Sequence, residues 1–113
     1  MRTRPPALLA AAAISIAALG GQVATSGAAG TRTVTLKNIA FSPKSLSISK
    51  GTSVAFAFRD GSTIHNVTST GAKRFRSISN RSSGTQKRTF SAAGAYRYAC
   101  TLHPGMSGRI TVR

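Results

Sequence analysis

The chain has 113 residues, 16 of them Lys or Arg and one acidic, so its formal net charge at pH 7 is +15. A single cysteine excludes an internal disulfide framework and a two-cysteine haem attachment, and two histidines exclude any centre that needs many imidazoles. So basic a balance points first to nucleic acid, but the cations are scattered and no aromatic-rich motif lies among them, so nucleic acid is not an expected partner.

Residues 1–28 read as a secretory signal. Arg2 and Arg4 form a short basic start, Ala7 to Leu19 is an apolar run broken only by Ser15, and small residues follow as far as Ala28. The run is short for a membrane span, although an uncleaved anchoring helix is the alternative. Cleavage after Ala28 leaves residues 29–113 as one small domain. It is expected to be secreted, periplasmic or held on the outer side of the cell envelope. In an oxidising compartment an odd thiol is a liability, an intermolecular link or a metal ligand.

From there on the hydrophobic period is two, which predicts strands. Val34 and Leu36 share one face of TRTVTLKNI, Leu46 and Ile48 alternate with serines, and Val54, Phe56 and Phe58 alternate with small residues up to an Asp60-Gly61 turn. TIHNVTS is short and β-branched. KRFRSISNRSSGT is irregular and reads as a weak strand or short helix followed by a loop. TQKRTF, AYRYAC and GRITV follow, with Tyr96, Tyr98 and Cys100 on one face and Ile110 and Val112 directed inward. Seven or eight short strands separated by Gly- or Asp-containing turns predict an antiparallel sandwich or barrel.

The chemistry gathers near the C-terminal end, in YACTLHPGM. Cys100, His103 and Met106 follow one another with spacing C-x2-H-x2-M, and His65 lies in a separate strand that a sandwich can bring alongside. One thiolate, two imidazoles and one thioether are the donor set of a type 1 (blue) copper centre. Thiolate is soft enough to hold Cu(I), imidazole tolerates both oxidation states, and thioether is a weak donor that keeps Cu(I) competitive. Structural zinc needs a closed set of four Cys and His, and three leave it one short. A Cys–His nucleophile needs an orienting group and an oxyanion hole, and the only acid is Asp60. With both histidines committed to one ion, no second metal or open position remains for a substrate, so the protein is expected not to be an enzyme.

FSPKSLSISKGTSVAF, IHNVTS and TFSAAGAYRYACTLHPGMSGRITV together resemble the small cupredoxins of the plastocyanin and amicyanin type, over about Val34 to Val112. The short C-x2-H-x2-M loop, with proline after the histidine, is similar to the amicyanin loop. The resemblance implies a Greek-key antiparallel β-sandwich with copper at one end and His65, Cys100, His103 and Met106 as ligands. It implies that Asn66 hydrogen-bonds the Cys100 sulfur through its backbone N–H and ties two loops together. It further implies an electron-transfer rim of Ile64, Leu102 and Pro104 around His103. Ile64 stands where the family often has proline.

The expected function is a one-electron carrier, monomeric, exchanging electrons with redox proteins that present acidic docking surfaces. Association with an anionic cell envelope is also expected from the charge. Copper sequestration or delivery is the alternative, because the same four ligands serve both.

Overall fold

The computed structural model describes residues 30–113; the expected signal segment lies outside the described residues. Nine strands follow in order: β1 (Thr31–Lys37), β2 (Ala40–Ser42), β3 (Ser45–Ile48), β4 (Thr52–Phe58), β5 (His65–Ser69), β6 (Ile78–Arg81), β7 (Thr85–Phe90), β8 (Gly94–Ala99) and β9 (Ser107–Val112). They form two sheets, ordered β2-β1-β4-β7 and β3-β9-β8-β5-β6.

Alternation in the sequence becomes a shared inner face. Val34 lies beside Phe56 and Leu36 beside Phe58 in the β1–β4 register, and all four are buried. In the facing sheet Leu46 and Ile48 align with Ile110 and Val112, again buried. Burying a side chain of this size is worth roughly 1.5–3 kcal/mol, so these matched rows hold the two layers together.

Tyr98 sits at the centre of the aromatic packing, edge-on to Phe41 at 4.8 Å and to Phe56 at 5.5 Å between ring centroids. Its cross-strand partner on β9 is Gly108, and a Cβ there would stand 2.6 Å from the Tyr98 ring. Glycine is therefore required at 108 by close approach rather than by backbone freedom. The irregular stretch after β5 contributes Phe75, which packs against Phe56, Phe90, Tyr96 and Tyr98.

Two features depart from the expectation, and a third decides between two expected alternatives. The strand count among the described residues is nine because Ala40–Ser42 forms a three-residue strand, too short to show a period. The sandwich is not purely antiparallel, since β1–β4 and β3–β9 are parallel pairs. The chain leaves the first sheet after β2, forms β3 in the other, and re-enters beside β1 running the same way. The basic Ser-rich stretch contains a strand, Ile78–Arg81, and no helix among the described residues.

On edge strand β7, Arg88 pairs across from the inward-facing Val54. Its guanidinium donates to the carbonyls of Arg76 at 2.7 Å and Ser77 at 3.1 Å. An inward charge on an edge strand discourages further strand pairing, and here it also pins the loop before β6. Partial burial, helped by the nearby Arg76 charge, lowers the pKa of Arg88.

A two-residue turn, Asn38-Ile39, joins β1 to β2, and both residues have positive φ, 54° and 53°. Paired left-handed residues are what a tight hairpin needs, and asparagine suits the first position. Isoleucine in the second costs on the order of 1–2 kcal/mol, because its branched Cβ crowds the backbone.

Candidate metal centre

His65 opens β5, directly after the loop that follows β4, and Cys100 stands one residue past the end of β8. Antiparallel pairing of β5 with β8 brings these two places together: Thr68 lies across from Ala99, and Ser69 across from Tyr98. His103 and Met106 come from the loop between β8 and β9. Its geometry is written in HPGM. The Met106 N–H donates to the His103 carbonyl at 3.1 Å, and Gly105 has φ of 86°. Proline second and a left-handed glycine third are what a type II turn demands. The Cys100 N–H donates to the Met106 carbonyl at 2.9 Å and closes the loop at its base.

Three donor atoms converge. Cys100 Sγ lies 3.8 Å from Nδ1 of His65 and 3.5 Å from Nδ1 of His103. The donors of His65, Cys100 and His103 all fall within 4.8 Å of one another. Bonds of roughly 2.0–2.3 Å from one ion to nitrogen and sulfur, spread at near-trigonal angles, separate the donors by about 3.5–4 Å. Both sulfur–nitrogen separations fall in that range, which suits one transition-metal ion held between the thiol and the two imidazoles. His65, Cys100 and Met106 are buried, and His103 is half-buried. Met106 is buried and its backbone is tied to that of Cys100 by the hydrogen bond that closes the loop, so a thioether stands in the same short loop as two of the stronger donors.

His65 is held from behind. Its Nε2 lies 2.8 Å from Oδ2 of Asp60, so Nε2 carries the proton and donates it, leaving the Nδ1 lone pair on the Cys100 side. The same carboxylate oxygen accepts the Ile39 N–H at 3.0 Å. Chiefly through the His65 hydrogen bond, and next through Ile39, the carboxyl pKa is held below its ordinary value.

Asn66 ties the two chain segments through its side chain. The Asn66 Oδ1 accepts the Thr101 N–H at 3.1 Å and the Thr68 hydroxyl at 2.9 Å, while Nδ2 donates to Thr101 Oγ1 at 2.8 Å and Asn80 Oδ1 at 2.9 Å. The link thus reaches the residue after Cys100 by way of an amide, where the sequence comparison implied a backbone N–H to the sulfur.

Ile64 and Leu102, each adjacent in sequence to one of the histidines, are 49% and 45% exposed, and Pro104 is exposed as well. Ile39, at 52%, is the other large exposed hydrophobic side chain among the described residues, and its N–H reaches Asp60 and so the same end of the sandwich. Sequence reasoning gave Asp60, Ile39 and Thr101 no part in the site. One signal was available: the only acid in the chain stands five residues before His65.

The model of the cupredoxin-like domain matches residues 8–112. Among solved structures, the oxidized state of a proline-to-alanine mutant of amicyanin is similar, with 25% identity, a TM-score of 0.66, and coverage of 74% of this chain and 83% of that one. Oxidized plastocyanin from Dryopteris crassirhizoma shares 26% identity with a TM-score of 0.63, covering 73% of this chain and 100% of that one. A Cu-containing nitrite reductase from Thermus scotoductus shares 26% identity with a TM-score of 0.64; the match spans 72% of this chain but 22% of the reductase. No curated protein sequence matches significantly.

Proposed function

The chain belongs to the cupredoxin-like family, and from that premise we propose that it is a mononuclear type 1 copper protein acting as a one-electron carrier. The observation that carries this reading is the convergence of Cys100 Sγ with both imidazole Nδ1 atoms next to an exposed apolar rim. His65, Cys100 and His103 are the strong ligands and Met106 the weak fourth. Bound there, copper supplies a Cu(II)/Cu(I) couple.

The rest of the work belongs to the chain. Asp60 fixes the tautomer and orientation of His65. Burial shields the Cys100 sulfur from solvent and from stray oxidants. Asn66 and the His103–Met106 turn hold the two ligand-bearing segments in one arrangement, so a change of charge at the site meets a scaffold that moves little. The half-buried His103 ring, flanked by Leu102 and Pro104 with Ile64 close by, lets a partner approach the centre and exclude water as it docks.

The same centre argues for a carrier and against an enzyme. Both histidines of the chain lie in it, leaving none for a second metal or a substrate position. The Cu-containing nitrite reductase is a far longer chain than this one. The excess of Lys and Arg favours redox partners with acidic surfaces, met by the protein as a monomer. Residues 1–28 are the export signal, and the protein works outside the cytoplasm.

Stopped-flow mixing of the copper-loaded protein with small redox proteins, alongside the rate of copper release to a chelator, tests the role. A carrier exchanges electrons quickly and keeps its metal. Slow exchange with ready release assigns the protein to copper sequestration or delivery instead.

A further inference from the structure

We propose that Asp60 is a positioning residue that couples the Asn38-Ile39 turn to His65. The inference rests on the copper reading for its consequence, but its geometry stands without it. In a chain with 16 Lys and Arg side chains, its sole acidic side chain makes no ion pair with any of them among the described residues. One oxygen, Oδ2, instead accepts two hydrogen bonds, from the His65 ring at 2.8 Å and from the Ile39 backbone at 3.0 Å.

The two donors belong to parts of the fold with little else in common. His65 is wholly buried and presents Nδ1 to the Cys100 sulfur. Ile39 is in a conformation that disfavours a branched side chain, and that side chain is 52% exposed. A strained turn persists only where its surroundings over-determine it. The carboxylate does so here, because the oxygen that holds the turn is already fixed by a buried ring. The dependence runs both ways. Displacing the turn draws on the acceptor of His65, and displacing His65 removes the anchor of the turn. The backbone of Ile39, a residue at the surface, is thereby joined to the His65 ring by two hydrogen bonds and one carboxylate.

The test compares Asp60→Ala and Asp60→Asn with the native protein. In copper-free protein, nitrogen NMR of the His65 ring reads its tautomer and amide hydrogen exchange reads the turn. Asp60→Ala is expected to release both together, with the Ile39 amide exchanging roughly tenfold faster or more and the ring no longer held with its proton on Nε2. Asp60→Asn keeps an oxygen that accepts both bonds, so it is expected to retain turn protection and tautomer. It also removes a negative charge beside a ligand, so the potential of the copper-loaded variant is expected to rise, a change that a purely structural residue would not produce. Release of one group by Asp60→Ala while the other stays native overturns the coupling. So does an Asp60→Asn variant with native potential and an unshifted His65 Nε2–H resonance. If the protein takes up no copper, the copper reading fails, and the copper-free measurements still decide this proposal. If Asp60→Ala does not fold, the Asp60→Asn resonance and exchange rates decide it.

Discussion

Cys100 Sγ lies 3.8 Å from Nδ1 of His65, although 35 positions separate the two residues in the chain. Their meeting depends on β5 and β8 being neighbours, and on the bonds that keep the loops at the ends of those strands in register. The centre is thus a product of the fold more than of any one motif, and each supporting contact can be tested.

Substitution within the donor set separates the roles of the ligands. Cys100→Ser is expected to abolish the intense visible absorption of the Cu(II) protein, because that band requires thiolate. Met106→Leu is expected to retain copper and shift the reduction potential, since only a weak donor is lost. Absorption spectra and voltammetry of the two variants check this.

Asn66 holds four hydrogen bonds across three chain segments. Asn66→Ala leaves several of those partners without a mate and is expected to cost about 1–3 kcal/mol of stability. It should also hasten copper loss, as the Thr101 end of the ligand loop comes free. Denaturant unfolding and chelator competition measure the two effects separately.

The core offers an opposing pair of expectations. Gly108→Ala forces a methyl against the Tyr98 ring, which is hemmed in by Phe41 and Phe56, and is expected to destabilise by about 1–3 kcal/mol. Tyr98→Phe acts the other way. Among the described residues the buried Tyr98 hydroxyl has no hydrogen-bond partner, and burial drives its pKa upward. Its removal is expected to leave stability unchanged or raise it by up to about 1 kcal/mol. Thermal unfolding of the two variants checks both signs.

Much of this was legible in the sequence, and the limits are physical. Alternation identified the inner face of β1, β3, β8 and β9 because those strands bury one side and expose the other; β4 is buried on both sides, and its inner face was legible because large apolar residues alternate there with small ones. His65, Cys100, His103 and Met106 were legible because the chain has so few residues of these types. Strand β2 was not, since three residues carry no period. Phe75 read as part of an irregular basic stretch, and only the packed structure shows it half-buried against the core, with its ring near those of Phe56 and Tyr96. Asp60 read as a turn residue next to Gly61, which it is. Its second role, toward His65 and Ile39, depends on side-chain direction, which local pattern does not encode.

Acid should loosen the copper-free protein through Asp60. Its carboxyl is held below the ordinary value by the His65 and Ile39 hydrogen bonds, so the folded state favours the ionised form. That contribution is complete above the unfolded-state value of about 4 and is lost as pH falls through the lowered folded value. Melting temperatures of the native protein should therefore drop on acidification more steeply than those of Asp60→Asn, which has no proton to take up at that position.

Association should respond to salt. With one acid against 16 cations, encounter with an acidic redox partner is steered by long-range attraction, which ions screen within about 10 Å at 0.1 M. Stopped-flow association rates are expected to fall steeply as ionic strength rises.

Titration of the purified protein with Cu(II), followed by visible absorption and electron paramagnetic resonance, bears most directly on the metal centre. Uptake of one equivalent with an intense thiolate-to-copper band and narrow parallel hyperfine splitting is the predicted result. A weak band with wide splitting, or no binding at the thiol, would contradict the assignment of His65, Cys100, His103 and Met106 as a type 1 site.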